Sequence, residues 1–174
     1  MQDPAREHVA LVGLSGSGKS AVAPLVAAAL GLVSVDLDEL VVRRAGRSVA
    51  EIFSGQGEPE FRRLESAALG HAVSGPAAVI ATGGGVVLDP ANRELLRGRC
   101  RVVWLRTSVE DLVDRLGATE GVRPLLAGDL RTTLCAQEAE REALYAEVAT
   151  CVVDTGALPA VEVARRVVEE VQGG

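Results

Sequence analysis

Lysine is almost missing from this chain of 174 residues: among its 18 Lys and Arg side chains only Lys19 is a lysine. That scarcity removes a function class. Guanine-specific switch proteins read their base with Asn-Lys-x-Asp, and no such motif can be written with Lys19, which stands between Gly18 and Ser20. Aromatics are equally scarce, namely Phe53, Phe61, Trp104 and Tyr145, so the core has to be built from Val, Leu and Ala. With few rings to stack on bases and a formal charge of −6, broad nucleic-acid binding is not expected, because it needs a basic face and often stacking platforms. The two histidines, His8 and His71, have no companions at ligand or triad spacing. Cys100, Cys135 and Cys151 form no C-x-x-C pair, so they are expected to be reduced, buried and free of metal. No apolar run approaches the roughly 20 residues of a membrane span, and no leader pattern is recognised. A cytoplasmic chain with no membrane role is the expectation. Nothing marks a large exposed apolar patch, so a monomer is expected too.

What is present starts with the context of that lysine. Gly13-Leu14-Ser15-Gly16-Ser17-Gly18-Lys19-Ser20 is a complete phosphate-binding loop, G-x-x-x-x-G-K-[ST]. Glycines let successive backbone N–H groups converge on one point. The helix that follows adds its positive end. The lysine supplies a full charge, and the Ser20 hydroxyl can ligate magnesium. The context fits: an apolar run, His8 to Val12, precedes the loop, and an Ala/Leu-rich stretch ending at Gly31 follows it. Pro24 is expected to kink that helix. Lys19 itself is expected to be solvent-accessible rather than part of the core.

Short apolar runs alternate with helical ones. Strands are expected at 9–12, 33–35, 78–81, 102–105 and 151–154. Helices are expected at 19–30, 38–45, 48–54, 59–72, 90–96, 109–116, 130–149 and 159–171. Ser48 with Glu51, and Ser108 with Asp111, have capping-box spacing. The alternation implies one α/β domain over 1–174, a parallel sheet with helices on both faces. Ligands of such sheets bind beyond the carboxyl ends of the strands. Three loops fall there: 13–18, Asp36-Leu37-Asp38, and Thr82-Gly83-Gly84-Gly85. A Gly-rich connection, 117–129, carries Arg123-Pro124 and is expected to form a mobile lid.

Asp36 and Asp38 straddle one residue beside the phosphate loop. They are read as carboxylates for a hydrated magnesium ion and for accepting a proton from an attacking hydroxyl; the bland alternative has Asp38 capping the next helix. Gly83-Gly84-Gly85 offers bare backbone to a small hydroxylated ligand. For Arg62 two accounts stand open: an i,i+3 ion pair with Glu65, or a fork for a ligand carboxylate. Arg141 poses the same choice with Glu138 nearby. Arg123 is read as a cation closing on a transferring phosphoryl group.

Taken together these residues resemble a shikimate kinase. The resemblance runs nearly end to end, through 13–20, 36–38, Ser48-Val49-Ala50-Glu51-Ile52-Phe53, Gly57-Glu58, Phe61-Arg62, Glu65, 83–85, Arg123-Pro124-Leu125-Leu126, Glu140-Arg141 and Leu144-Tyr145. It implies a three-layer P-loop kinase fold, nucleoside-monophosphate-kinase-like, with a five-stranded parallel sheet and substrate-binding helices over about 38–73. It implies ATP as phosphoryl donor with Mg2+, and the 3-hydroxyl of shikimate as acceptor. The nucleotide would lie on Gly16, Ser17, Gly18, Lys19, Ser20, Ala21 and Arg123. Ser20 and Asp36 would serve the metal. Lys19, Asp38 and Arg123 would be catalytic, with Asp38 also holding ring hydroxyls. Phe53, Phe61, Gly83, Gly84 and Gly85 would line the substrate, and Arg62 and Arg141 would clamp its carboxylate. Arg115 precedes Arg123 by eight positions, where the family spacing to an arginine near adenine is seven. A gluconate kinase is the nearest alternative, although it has no need of a two-arginine clamp.

Overall fold

A computed structural model describes residues 7–117 and 129–173. Five strands, β1 (His8–Val12), β2 (Val33–Asp36), β3 (Ala78–Ala81), β4 (Cys100–Arg106) and β5 (Cys151–Asp154), form one parallel sheet in the order β2-β3-β1-β4-β5. Seven helices alternate with them among the described residues: α1 (Lys19–Leu30), α2 (Leu37–Ala45), α3 (Val49–Val73), α4 (Pro90–Arg99), α5 (Val109–Gly117), α6 (Leu130–Val148) and α7 (Ala160–Gly173).

β1 lies at the centre and is buried throughout, as a parallel strand covered on both faces must be. Alternate residues feed two cores. Val9 and Leu11 pack with Val22, Val26, Val163 and Val167 of α1 and α7. Ala10 and Val12 pack with Leu37, Ile52, Leu69, Leu96 and Leu134 on the opposite face. The edge strands are thinner: Val33 is 60% exposed and Val152 40%. From β1 the chain crosses to β2 on one side and later to β4 on the other. The crevice where those connections diverge opens above the carboxyl end of β1, where a doubly wound sheet binds its ligands.

Local signals act as their chemistry demands. Ser48 and Glu51 form the capping box, with Glu51 N donating to Ser48 Oγ at 3.2 Å and Ser48 N to Glu51 Oε2 at 2.7 Å. Ser108 Oγ likewise accepts from Asp111 N at 3.1 Å. The two helices expected at 48–54 and 59–72 are one run, α3, broken by Gly57 at φ 76°, ψ −179°; the chain turns there and Pro59 restarts the helix in its first turn. α1 continues through Pro24 to a left-handed Gly31 cap. One expectation about the core fails. Only Cys100 is buried, with its thiol pushed up to about 12 by burial; Cys151 is half-buried and Cys135 exposed, and all three are free. Cys135 lies on the outward face of α6, which its neighbour Leu134 anchors to the core.

Candidate active site

The phosphate loop links the central strand to α1, and glycine gives it its shape. Gly16 and Gly18 stand at φ 86° and 96°, in the left-handed region that side chains resist. Gly16 also has no room for a side chain, since a Cβ there would lie 2.9 Å from Leu116 at the end of α5. Lys19 is not accessible as expected: only 7% of it is exposed. Its ammonium donates to Gly13 O at 2.7 Å, Leu14 O at 2.8 Å and Ser17 Oγ at 3.3 Å. The loop curls its carbonyls around the amine, and a buried cation keeps its charge only with such partners.

Asp36, not Asp38, caps α2, its Oδ1 accepting from Asp38 N at 2.9 Å and Glu39 N at 3.3 Å. Its other oxygen accepts from Ser20 Oγ at 2.5 Å. The hydroxyl of the loop and the carboxylate at the end of β2 are therefore in contact. Asp38, relieved of capping, lines the crevice. A cavity of about 220 Å³ runs between Ser15, Gly16, Gly18, Lys19, Ser20 and Ala21 on one side and Asp38, Thr82, Gly83 and Gly84 on the other. Ser17 is buried beneath it.

Past Gly84 the crevice becomes cationic. Arg62, on the second half of α3, lays its guanidinium flat on Gly85; a Cβ at Gly85 would be 2.3 Å from Nη2. Arg62 lies 5.4 Å from the Phe61 ring centroid, and Phe61 packs on Phe53 at 4.9 Å. Its Nη1 donates to Glu65 Oε2 at 2.7 Å, while Nε and Nη2 meet Glu58 Oε1 at 3.2 and 3.1 Å. Arg141 reaches the same place from α6. It is only 5% exposed, and its ion pair is with Glu140 at 3.2 Å rather than with Glu138. Arg62 thus makes the ion pair of the bland account, Arg141 makes a different one, and both border the glycine turn.

Glu65 binds this end together. Burial raises its carboxyl above the usual range; Arg62 counters that, Asp38 adds to it, and Arg141 opposes it. Burial also works against the charge of Arg62, but Glu65 and Glu58 outweigh it and strengthen the cation. The chain spacing suggested Glu65 only as a surface partner; its 1% exposure comes from the packing of α3 under the Gly83 turn.

Three residues that hold the glycine turn and the short helical turn after it had no sequence signal for that role. Tyr145 Oη donates to Gly84 O, Asn92 Nδ2 to Val86 O at 3.0 Å, and Arg93 Nη1 to Val87 O at 2.8 Å. Arg115 donates to Gly16 O at 3.3 Å and to Gly156 O, joining the phosphate loop to the turn after β5. The altered spacing to Arg123 does not keep it from the phosphate loop. Arg123 and most of the expected lid at 117–129 lie outside the described residues.

Comparison with known proteins agrees with this geometry. The profile of the shikimate kinase family matches residues 15–172. A shikimate kinase of Symbiobacterium thermophilum is 44% identical over 167 residues, which cover 95% of this chain and 96% of the relative. The structure of shikimate kinase from Acinetobacter baumannii in complex with shikimate superposes with a TM-score of 0.92 at 33% identity, covering 97% of this chain and 94% of that one. A gluconokinase from Sinorhizobium meliloti reaches 0.69 at 22% identity, over 97% and 93% of the two chains, and shares the fold alone. The chain belongs to the shikimate kinase family.

Proposed function

We propose the following division of labour for an enzyme that phosphorylates shikimate with ATP. The observation that carries it is the cavity between the phosphate loop and Asp38, closed by a glycine turn that Arg62 and Arg141 border. The triphosphate lies on the N–H groups of 15–21. Lys19 turns from the loop carbonyls to the outer phosphates, where its charge offsets that of the moving phosphoryl group. Shikimate stands on Gly83 to Gly85 against the Phe53 and Phe61 rings. Its carboxylate is held by Arg62 and Arg141, and its 3-hydroxyl points at Asp38. Asp38 accepts the hydroxyl proton as that oxygen bonds to the γ-phosphorus and the bond to ADP breaks. Arg123, assigned from sequence alone, supplies a second cation above the phosphates.

Ser20 and Asp36 suit Mg2+: one hydroxyl and one carboxylate oxygen in contact, both hard ligands, at the loop. Among the described residues no group of three or more His, Cys, Asp or Glu gathers to hold a metal. A site of that kind is not required of an ion that takes most of its ligands from phosphates and water. Bound there, Mg2+ would neutralise phosphate charge.

Positioning and charge neutralisation are what phosphoryl transfer needs most, and this site is built from those two means. The reading carries with it a monomeric, cytoplasmic enzyme of one domain, and among the described residues no helix is long and apolar enough to cross a membrane. The test is ADP release measured with shikimate, with gluconate and with neither. Turnover that depends on shikimate is expected; equal turnover with gluconate would overturn the assignment of the two arginines.

A further inference from the structure

Tyr145 is the only tyrosine of the chain and one of its most buried large side chains. A buried phenol needs a partner for its hydroxyl. Its ring packs on Trp104 at 5.7 Å between centroids, and its hydroxyl crosses 61 residues of sequence to donate to Gly84 O. Arg141 stands four residues earlier on α6, so both side chains project from one face of that helix. The Arg141 guanidinium reaches the same spot: its Nη1 lies 3.6 Å from where a Cβ on Gly84 would be. Tyr145 and Arg141 therefore meet at one residue of the glycine turn, the phenol on its carbonyl and the guanidinium beside its Cα.

We propose that Tyr145 is a positioning residue, its hydroxyl holding the carbonyl of Gly84 so that the glycine turn and the Arg141 guanidinium packed beside it stand at a fixed height for the carboxylate clamp. The proposal rests on the reading of Arg141 as part of that clamp. Arg141 has a long, flexible stem, and a cation that must meet a carboxylate in one geometry gains from being held before the ligand arrives. Its ion pair with Glu140, a neighbour in sequence that is largely exposed, is a weak restraint. The turn against which Arg141 packs is held by the phenol. The substrate ring rests on one end of this link and its carboxylate on the other.

Tyr145→Phe removes the hydroxyl and keeps the ring against Trp104. The shikimate KM is expected to rise about three- to tenfold, the range for one lost hydrogen bond, while the KM for ATP stays within about twofold. Arg141→Ala separates the two ideas. If R141A leaves the shikimate KM unchanged, the clamp is wrong and Tyr145 loses its role with it. If R141A raises that KM but Y145F does not, the clamp stands and the proposal for Tyr145 falls. In the double variant Y145F should add less to the shikimate KM than it does alone; a full multiplicative effect would mean Tyr145 acts without Arg141. A readout on the unaltered chain guards against misfolding of Y145F. Labelling with 3-fluorotyrosine gives a single fluorine resonance, expected to shift with saturating shikimate and to lose most of that shift in R141A. A resonance indifferent to shikimate, or shifting equally in R141A, would overturn the link.

Discussion

The two ends of the crevice are built in opposite ways. The phosphate end is one continuous octet, Gly13 to Ser20, whose glycines set its curvature and whose lysine is held by its own carbonyls. The carboxylate end is assembled from three separate pieces of chain: Arg62 and Glu65 on α3, the Gly83–Gly85 turn, and Arg141 and Tyr145 on α6. A local site needs only the right backbone. An assembled site needs every supporting layer in register, so its function depends on residues that never touch the ligand.

The strongest way to break this comparison is Lys19→Ala. Loss of a charge aimed at the moving phosphoryl group is expected to lower kcat by at least about 10²–10³, read by shikimate-dependent ADP release; near wild-type turnover would sink the role of the loop. Because Lys19 is buried on three acceptors rather than accessible, amine reagents should label it far more slowly than the N-terminus of the folded protein.

Arg62→Ala tests the other end. Losing one charge-assisted partner, about 1.5–3 kcal/mol, should raise the shikimate KM roughly ten- to hundredfold with little change in the ATP KM. Equal rises in both would erase the distinction between the two ends.

A gentler probe is Gly85→Ala, whose Cβ would occupy the plane of the Arg62 guanidinium. The guanidinium must swing aside, and since it ends a flexible stem the effect should be smaller than that of R62A: a rise in shikimate KM of several-fold, about 1 kcal/mol. An unaltered KM would mean the flat stacking on Gly85 is dispensable.

The smallest effect concerns pH. Burial raises the Glu65 carboxyl above its ordinary 4.5. The ionised form is then less favoured in the folded protein than in the unfolded chain. The stability it contributes is full below the unfolded value and is lost as pH rises through the folded one. In urea unfolding, the difference in midpoint between wild type and Glu65→Gln should shift in favour of wild type as pH falls from about 7 to about 5. A shift the other way would mean Arg62 and Arg141 outweigh burial.

Most of the fold was legible because each element announces itself locally. Apolar β-branched runs marked the strands, Ser48 and Glu51 marked the start of α3, and Gly31 the end of α1. The expected helix pair at 48–54 and 59–72 meets without a loop at Gly57, whose backbone is not helical. Asp36 and Asp38 were legible as a pair, but their roles were not. Which carboxylate caps α2 depends on the backbone geometry where β2 ends, and Asp36 stands at that bend. Asn92 and Arg93 carried no signal, and Tyr145 entered only through the resemblance with no role attached, because each acts on a backbone carbonyl, which every residue possesses.

By itself the sequence determined that a phosphate loop sits between a buried strand and a helix, and that triple glycine and paired arginines belong to one family of enzymes. Those features are set by neighbours a few residues apart, where backbone freedom and helical spacing act directly. Only the tertiary structure decided that Lys19 is wrapped by carbonyls, that Glu65 is buried beneath the glycine turn, and that Tyr145 reaches the carbonyl of Gly84. Burial and long-range hydrogen bonds arise when helices pack on the sheet, and no short stretch of chain contains the distance between α3 and α6.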